Sequence, residues 1–373
     1  MIYFDNAATT GHKPITVVNA YNYALKNISA NPGRSGHYLS QRAANIVYKA
    51  REKISDFFDS DGPETVVFTA NCTTSINYVI KGVLSKGDHI IISDLEHNAV
   101  IRPVNSINVD YTIATVSLND DSETLRNFEN SIKSNTKMIF CTAASNVIGK
   151  ILPLKKIGEL CKKHNILFGV DAAQGAGIIP IKMNEMNIDF LCVAPHKGLY
   201  CPMGFGILIA RKPINKTIIE GGTGTNSLEL FQPTTMPERF ESGTVNLPAI
   251  STINAGIDFV KSNANIMFKK ENSLVKHLYN CLKNEDYIFY SNPNNNGYVP
   301  VISFNHLDTQ SDIVAQFLND KGFAVRAGLH CAPLAHKKIG TVLQGTVRFS
   351  PSIFNNISEV DMFIYTLKKF KKH

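Results

Sequence analysis

Residues 166–197 read ILFGVDAAQGAGIIPIKMNEMNIDFLCVAPHK, and their reading decides the fold. Two short apolar runs, Ile166–Val170 and Phe190–Val193, predict buried parallel strands with turn residues after each. The first run leads into Asp171 and Gln174, the second into His196 and Lys197. Open parallel sheets bind ligands at the carboxyl ends of their strands. A carboxylate, an amide, an imidazole and an amine are therefore expected to converge on one crevice. A lysine at one strand end beside an aspartate at the next suits pyridoxal 5'-phosphate (PLP). The amine forms a Schiff base, and the carboxylate keeps the pyridine nitrogen protonated so that the ring acts as an electron sink.

Working outward, strand–helix alternation runs from Val66 to Ala210. Strands are predicted at Val66–Phe68, His89–Ser93, Met138–Thr142 and Gly206–Ile209. Helices are predicted at Ile15–Ile28, Ser40–Phe58, from Ser75 through Leu84, and at Leu154–His164. Asn71-Cys72-Thr73-Thr74-Ser75 is a hydroxyl-rich strand-to-helix turn, which suits a phosphate or serves equally as a helix cap. His97 and Asn146 sit just past strand ends, where an imidazole can stack or shuttle a proton and an amide can bind a ligand oxygen. Asn31–His37 (NPGRSGH) and Glu220–Asn226 (EGGTGTN) are loops with turn chemistry. A long helical region, Ala249–Lys283, leads to a segment of different character. There Tyr287–Tyr290, Val299–Phe304, Phe323–Val325 and Thr346–Phe349 read as strands, and Ser311–Asn319 and Ser358–Phe370 as helices. Ser358 and Asp361 resemble a capping box. The expected architecture is α/β, with a mainly parallel large domain over 15–255 and a smaller α+β domain from 1–14 and 256–373.

Composition narrows the class. At 373 residues, 44% hydrophobic and 18% charged, the chain is globular. The net charge of +7 is spread along it, and the basic end (Lys368, Lys369, Lys371, Lys372) lacks the aromatic interleaving of a nucleic-acid groove. No apolar run reaches a membrane span of roughly 18 residues, and the first residues lack a signal-peptide pattern, so a cytoplasmic protein is expected. The seven cysteines show no CxxC spacing, so neither a metal site nor a disulfide framework is indicated. Cys331, in Arg326-Ala327-Gly328-Leu329-His330-Cys331, reads as one more buried thiol or as a nucleophile whose thiolate Arg326 and His330 favour.

Taken in order, DNAATT, NPGRSGH, EHNAV, SNVIG, VDAAQ, PHKG, GGTGT, ESGT and RAGLHCAP resemble the class V aminotransferase superfamily over residues 2–350. The likeness is greatest to its cysteine desulfurase and selenocysteine lyase branch. The resemblance implies fold type I and PLP. It implies Lys197 as the Schiff-base lysine, Asp171 against the pyridine nitrogen and Gln174 on the phenolic oxygen. It implies His97 stacked on the ring as an acid/base and Asn146 on cofactor oxygen or substrate. Thr73 and His196 would hold the phosphate, with Thr225 reaching it from the other subunit of a homodimer. Arg348 would clamp the substrate carboxylate bidentately, with Arg326 nearby in the family's RxGxxC pattern. Cys331 would attack the sulfur of L-cysteine, giving alanine and a persulfide for a sulfur-acceptor protein in iron–sulfur cluster assembly or another route. Two departures stand out. Ala194-Pro195 replace a hydroxyl that many relatives carry before the lysine, and Cys201 replaces a glycine. Selenocysteine lyase, a transaminase and a non-catalytic sulfur-carrier scaffold are the competing readings; the retention of Lys197, Asp171, Gln174 and His97 argues against the last.

Overall fold

The computed structural model describes residues 1–225 and 227–370. Asn226 of the glycine-rich loop, and Lys371 and Lys372 of the basic end, lie outside the described residues. The chain opens with β1 (Ile2–Tyr3), α1 (Ile15–Asn27) and α2 (Tyr38–Phe58). Strands and helices then alternate: β2 (Val66–Thr69), α3 (Cys72–Val83), β3 (His89–Ser93), α4 (Asn98–Ser106), β4 (Asp110–Ala114), α5 (Asp121–Asn130), β5 (Thr136–Thr142) and α6 (Leu154–Lys163). β6 (Leu167–Asp171), β7 (Phe190–Val193) and β8 (Gly206–Ala210) complete a seven-stranded sheet in the order β2-β8-β7-β6-β5-β3-β4. Strands β3 to β7 pair in parallel, while β8 runs antiparallel to both of its neighbours.

Successive residues of a strand face opposite sides, and both sides of this sheet are apolar. Ile91, Ile139 and Phe168 face the side covered by Val47 and Ile54 of α2 and Ile157 of α6. Ile90, Ile92, Met138 and Phe140 face Ile76 and Val79 of α3 and Val100 of α4. Burial on both faces is why these strands read as unbroken apolar runs.

The later chain forms α7 (Leu247–Ile250), α8 (Ile253–Leu282), β9 (Tyr287–Phe289), β10 (Ile302–His306), α9 (Ser311–Asp320), β11 (Phe323–Ala324), β12 (Arg326–Gly328), α10 (Pro333–Lys338), β13 (Thr346–Phe349) and α11 (Ile357–Lys368). Here the sheet is antiparallel, β12-β13-β10-β9, with β1 and β11 pairing beside it. Its core holds Phe4, Phe304, Phe349 and Phe363. No helix among the described residues is long and apolar enough to cross a membrane.

Several elements differ from expectation. β4 is an edge strand with Asp110 and Ile113 exposed, so it carries no apolar run. α4 is short and contains Pro103, so its buried face of Val100, Ile101 and Val104 spans little more than one turn, and α5 buries only Thr124 and Phe128. The long helical region is two helices, interrupted at Ser251 and Thr252. The strand expected at Val299–Phe304 begins at Ile302, after Pro300, and continues to His306. β12 is too short and glycine-rich to register as a strand. The capping box of α11 is Asn356 with Glu359, not Ser358 with Asp361: the helix begins one residue earlier, at Ile357, and the Asn356 side chain accepts from Glu359 N.

Gly206 ties this fold to ligand binding. A Cβ there would lie 2.3 Å from the Asn71 carbonyl carbon and 2.6 Å from Cys72 N, which open α3. Gly206→Ala is expected to lower stability by about 1–3 kcal/mol, read as a lower Tm, and to weaken any ligand held at the start of α3.

Candidate active site

β6 and β7 are hydrogen-bonded neighbours, with Asp171 opposite Cys192. Asp171 is buried at the end of β6, and its Oδ1 accepts from Ala173 N at 2.9 Å. Lys197 follows β7 in a tight turn, in which Lys197 N donates to Ala194 O at 3.1 Å and Tyr200 N to Lys197 O at 3.0 Å. The carbonyl just before it, on His196, is held from the amino-terminal segment. Thr10 N, Thr9 Oγ1 and Thr10 Oγ1 each lie 3.1 Å away and Lys13 Nζ 3.2 Å. One cavity is lined by Thr73, His97, Asn146, Asp171, Gln174, His196 and Lys197. The parallel sheet thus brings seven of the predicted residues together.

Burial sets the electrostatics. It lowers the Lys197 ammonium below its ordinary value, an effect that Asp171 opposes and Arg348 reinforces. Burial also raises Asp171, against the pull of Ala173 N–H and Lys197. Both members of the pair are therefore biased toward their neutral forms. His97 is lowered to about 4 by burial and by Lys197. Its Nδ1 accepts from Ala99 N at 3.0 Å and caps α4, so the neutral ring carries its proton on Nε2. His196 is likewise lowered to about 4, and its Nδ1 is buried without a partner.

The remaining residues stand around this cavity. Gln174 Nε2 donates to Ala7 O at 2.9 Å, and Asn146 Nδ2 to His330 O at 2.8 Å. Arg348 is 1% exposed and donates to Asp5 Oδ1 at 2.7 Å and to Asn146 O at 3.1 Å. Cys331 is the exposed cysteine of the seven; its Sγ lies 3.7 Å from Arg326 Nη2, and its carbonyl accepts from Asn98 N at 2.6 Å. His330 does not act on that thiol as expected. Its buried ring bonds Thr346 through Nε2, and burial and Arg348 hold it neutral. Thr225 lines a separate cleft with Arg34 and Arg51, so within one chain it does not meet Lys197.

Cys201 is fully buried beside Gly256 and Thr252, a packing role that leaves the Lys197 turn closed. Asp5, Cys72 and Glu96 were passed over in the sequence. Asp5 is the acid of DNAATT, Cys72 lines the cavity with its Sγ 3.8 Å from Asp171 Oδ1, and Glu96 precedes His97. Glu96 is completely buried. Its Oε1 accepts from Ser93 Oγ and from Thr142 N at 2.9 Å, and its Oε2 has no partner.

A family model described as "Aminotransferase class-V" matches residues 2–363. The chain belongs to the class V aminotransferase family, whose members are PLP enzymes. Within it, the chain is 31% identical to the "Probable cysteine desulfurase" of Pyrococcus abyssi, over 100% of this chain and 94% of that one. The protein of the same description from Borreliella burgdorferi is 30% identical over 100% of this chain and 92% of its own length. The apo cysteine desulfurase of Thermococcus onnurineus NA1 superposes with a TM-score of 0.90 at 31% identity, covering 99% of this chain and 94% of that chain. The Escherichia coli cysteine desulfurase CsdA shares the fold, with a TM-score of 0.86 at 24% identity over 98% and 94%.

Glu96 yields a test. Burial raises its carboxyl from 4.5 to about 8, so folding takes up a proton between those values. Its contribution to stability is therefore present at low pH and lost as pH rises through the folded value. Gln is isosteric with the protonated acid. The Tm of Glu96→Gln minus that of wild type is expected to be near zero at about pH 5 and to grow positive toward about pH 9; a flat difference would show that Glu96 is already ionised.

Proposed function

We propose that this chain is a PLP-dependent cysteine desulfurase, converting L-cysteine to L-alanine and leaving the sulfur on Cys331 as a persulfide. The observation that carries this reading is the exposed Cys331 thiol beside the Arg326 guanidinium, on a loop bonded directly to the wall of the Lys197 cavity. The guanidinium is an N–H donor within reach of that sulfur.

The donor set fits PLP. Asp171 stands at a buried strand end for a ring nitrogen. The buried, unpartnered Nδ1 of His196 and the first turn of α3 at Thr73 offer donors to a phosphate. The Thr73 hydroxyl stands in for the one lost at Ala194. His97, held by its bond from Ala99 N, lines the same cavity and has its proton on Nε2. When bound, the cofactor supplies an electron sink for the pair released at the substrate Cα.

The chain's own residues do the rest. Lys197, desolvated and biased toward the free amine, would hold the cofactor and carry the Cα proton. Asp171 would face the cofactor's ring nitrogen. Gln174 and Asn146 orient oxygens through the second N–H of each amide, and Arg348 receives the α-carboxylate. Cys331 Sγ attacks the substrate sulfur; an S–S bond forms as the Cβ–S bond breaks, and the departing pair stays with the three-carbon product, which is protonated to alanine.

The same reading includes the division into domains at 15–255 and 1–14 with 256–373, and a homodimer. The dimer is supported by Leu228, Leu230 and Phe231, exposed by 98%, 97% and 86% in the segment that follows Thr225. Contiguous exposed apolar side chains mark an interaction surface. A second copy seated there would bring Thr225 toward the partner's phosphate site.

PLP-loaded protein given L-cysteine and a reductant is expected to release alanine and sulfide in equal amounts, with both lost in Lys197→Ala. Cys331→Ser is expected to lose at least about a hundredfold in kcat while keeping the cofactor absorbance. Full sulfide release by Cys331→Ser would sink the persulfide step, and turnover of L-selenocysteine alone would move the substrate to the selenium amino acid. For the dimer, Leu230→Asp with Phe231→Asp is expected to halve the mass measured by light scattering.

A further inference from the structure

Arg348 already carries an anion. Its guanidinium has five N–H donors, and the chain uses one edge of it. Nη2 binds Asp5 Oδ1 at 2.7 Å and Nη1 binds Asn146 O at 3.1 Å, while Nε is buried with no partner. Asp5 follows β1 and pairs in a bridge with Ser350, two residues beyond Arg348, so the backbone holds the carboxylate in place. The Arg348 side chain is 1% exposed and Asp5 19%. Two further cations, Lys197 and Arg326, act on the same guanidinium or are acted on by it. The region thus has two guanidinium groups, a lysine amine, one resident carboxylate and one unsatisfied buried donor.

We propose that Asp5 is a specificity-determining residue for the α-carboxylate of the amino-acid substrate. This rests on the desulfurase reading of Arg348. Asp5 holds the guanidinium through Nη2, which leaves Nε as the buried donor still without a partner for a substrate carboxylate. Its charge also opposes any second anion on that guanidinium. A free simple anion meets this repulsion without compensation. An amino acid brings a positively charged amine that a simple anion lacks, and that charge offsets the repulsion. Asp5 thereby keeps small carboxylates and inorganic anions out of the site.

The Asp5→Asn side chain keeps an oxygen acceptor for Nη2 and loses only the charge. Wild type and Asp5→Asn are titrated with sodium acetate at constant ionic strength, with Tm as the readout. Asp5→Asn is expected to half-saturate at about tenfold lower acetate, the scale of one carboxylate–carboxylate repulsion at this spacing. Asp5→Glu retains the charge and is expected to stay within about threefold of wild type. In turnover, Asp5→Asn is expected to keep KM for L-cysteine within about threefold of wild type, while acetate inhibits at about tenfold lower concentration. Acetate binding by Asp5→Asn that equals or falls below wild type would overturn the assignment and leave Asp5 as a structural anchor. If neither protein releases sulfide but the acetate difference stands, the desulfurase reading fails and the role of Asp5 on Arg348 survives.

Discussion

A buried carboxylate and a half-buried amine, brought to one cavity from two adjacent parallel strands, constrain everything else in this molecule. Removing either charge from water is costly unless it is paired or neutralised. β6 and β7 deliver Asp171 and Lys197 to one cavity, and burial drives both toward their neutral forms. The surroundings hold that geometry. Four donors from residues 9–13 converge on the His196 carbonyl, one residue before Lys197. Glu96, completely buried two strands away, fastens the end of β3 to Thr142 of β5 and sets the start of α4, where His97 is the cap.

The same site joins the two sheets. Arg348 comes from the antiparallel sheet and donates to Asn146, which follows the parallel one. Asn146 in turn holds the His330 carbonyl, and Asn98 holds that of Cys331. The thiol is therefore positioned by the part of the chain that builds the lysine cavity. A shift between the sheets would change the guanidinium, the amide and the thiol together.

How legible this was depended on burial. β3, β6 and β7 are buried on both faces, and their apolar runs stood out with their polar residues directly after them. That is why Asp171 and Lys197 could be placed in one crevice and His97 just past a strand end. β4, α4 and α5 bury one face or less, and their patterns were too weak to read. Roles that depend on pairing across the fold were also hidden. Nothing in RAGLHC distinguishes a side chain aimed at the thiol, as Arg326 is, from one turned into the core, as His330 is. Arg348 looked free to bind a substrate carboxylate because Asp5, its partner, lies 343 residues away in sequence.

The cysteine loop shows what such distant contacts accomplish. His330 and Cys331 adopt φ of 47° and 55°, consecutive left-handed residues without the freedom of glycine. Each costs about 1–2 kcal/mol relative to an ordinary conformation. The strain persists because both carbonyls are bound from outside the loop, at 2.8 Å by the Asn146 side chain and at 2.6 Å by Asn98 N. Removing those bonds would let the two residues relax to ordinary backbone and swing the thiol away from Arg326. The backbone, rather than a flexible side chain, therefore aims Cys331, and the anchors that aim it belong to the same loops that carry His97 and the wall of the lysine cavity.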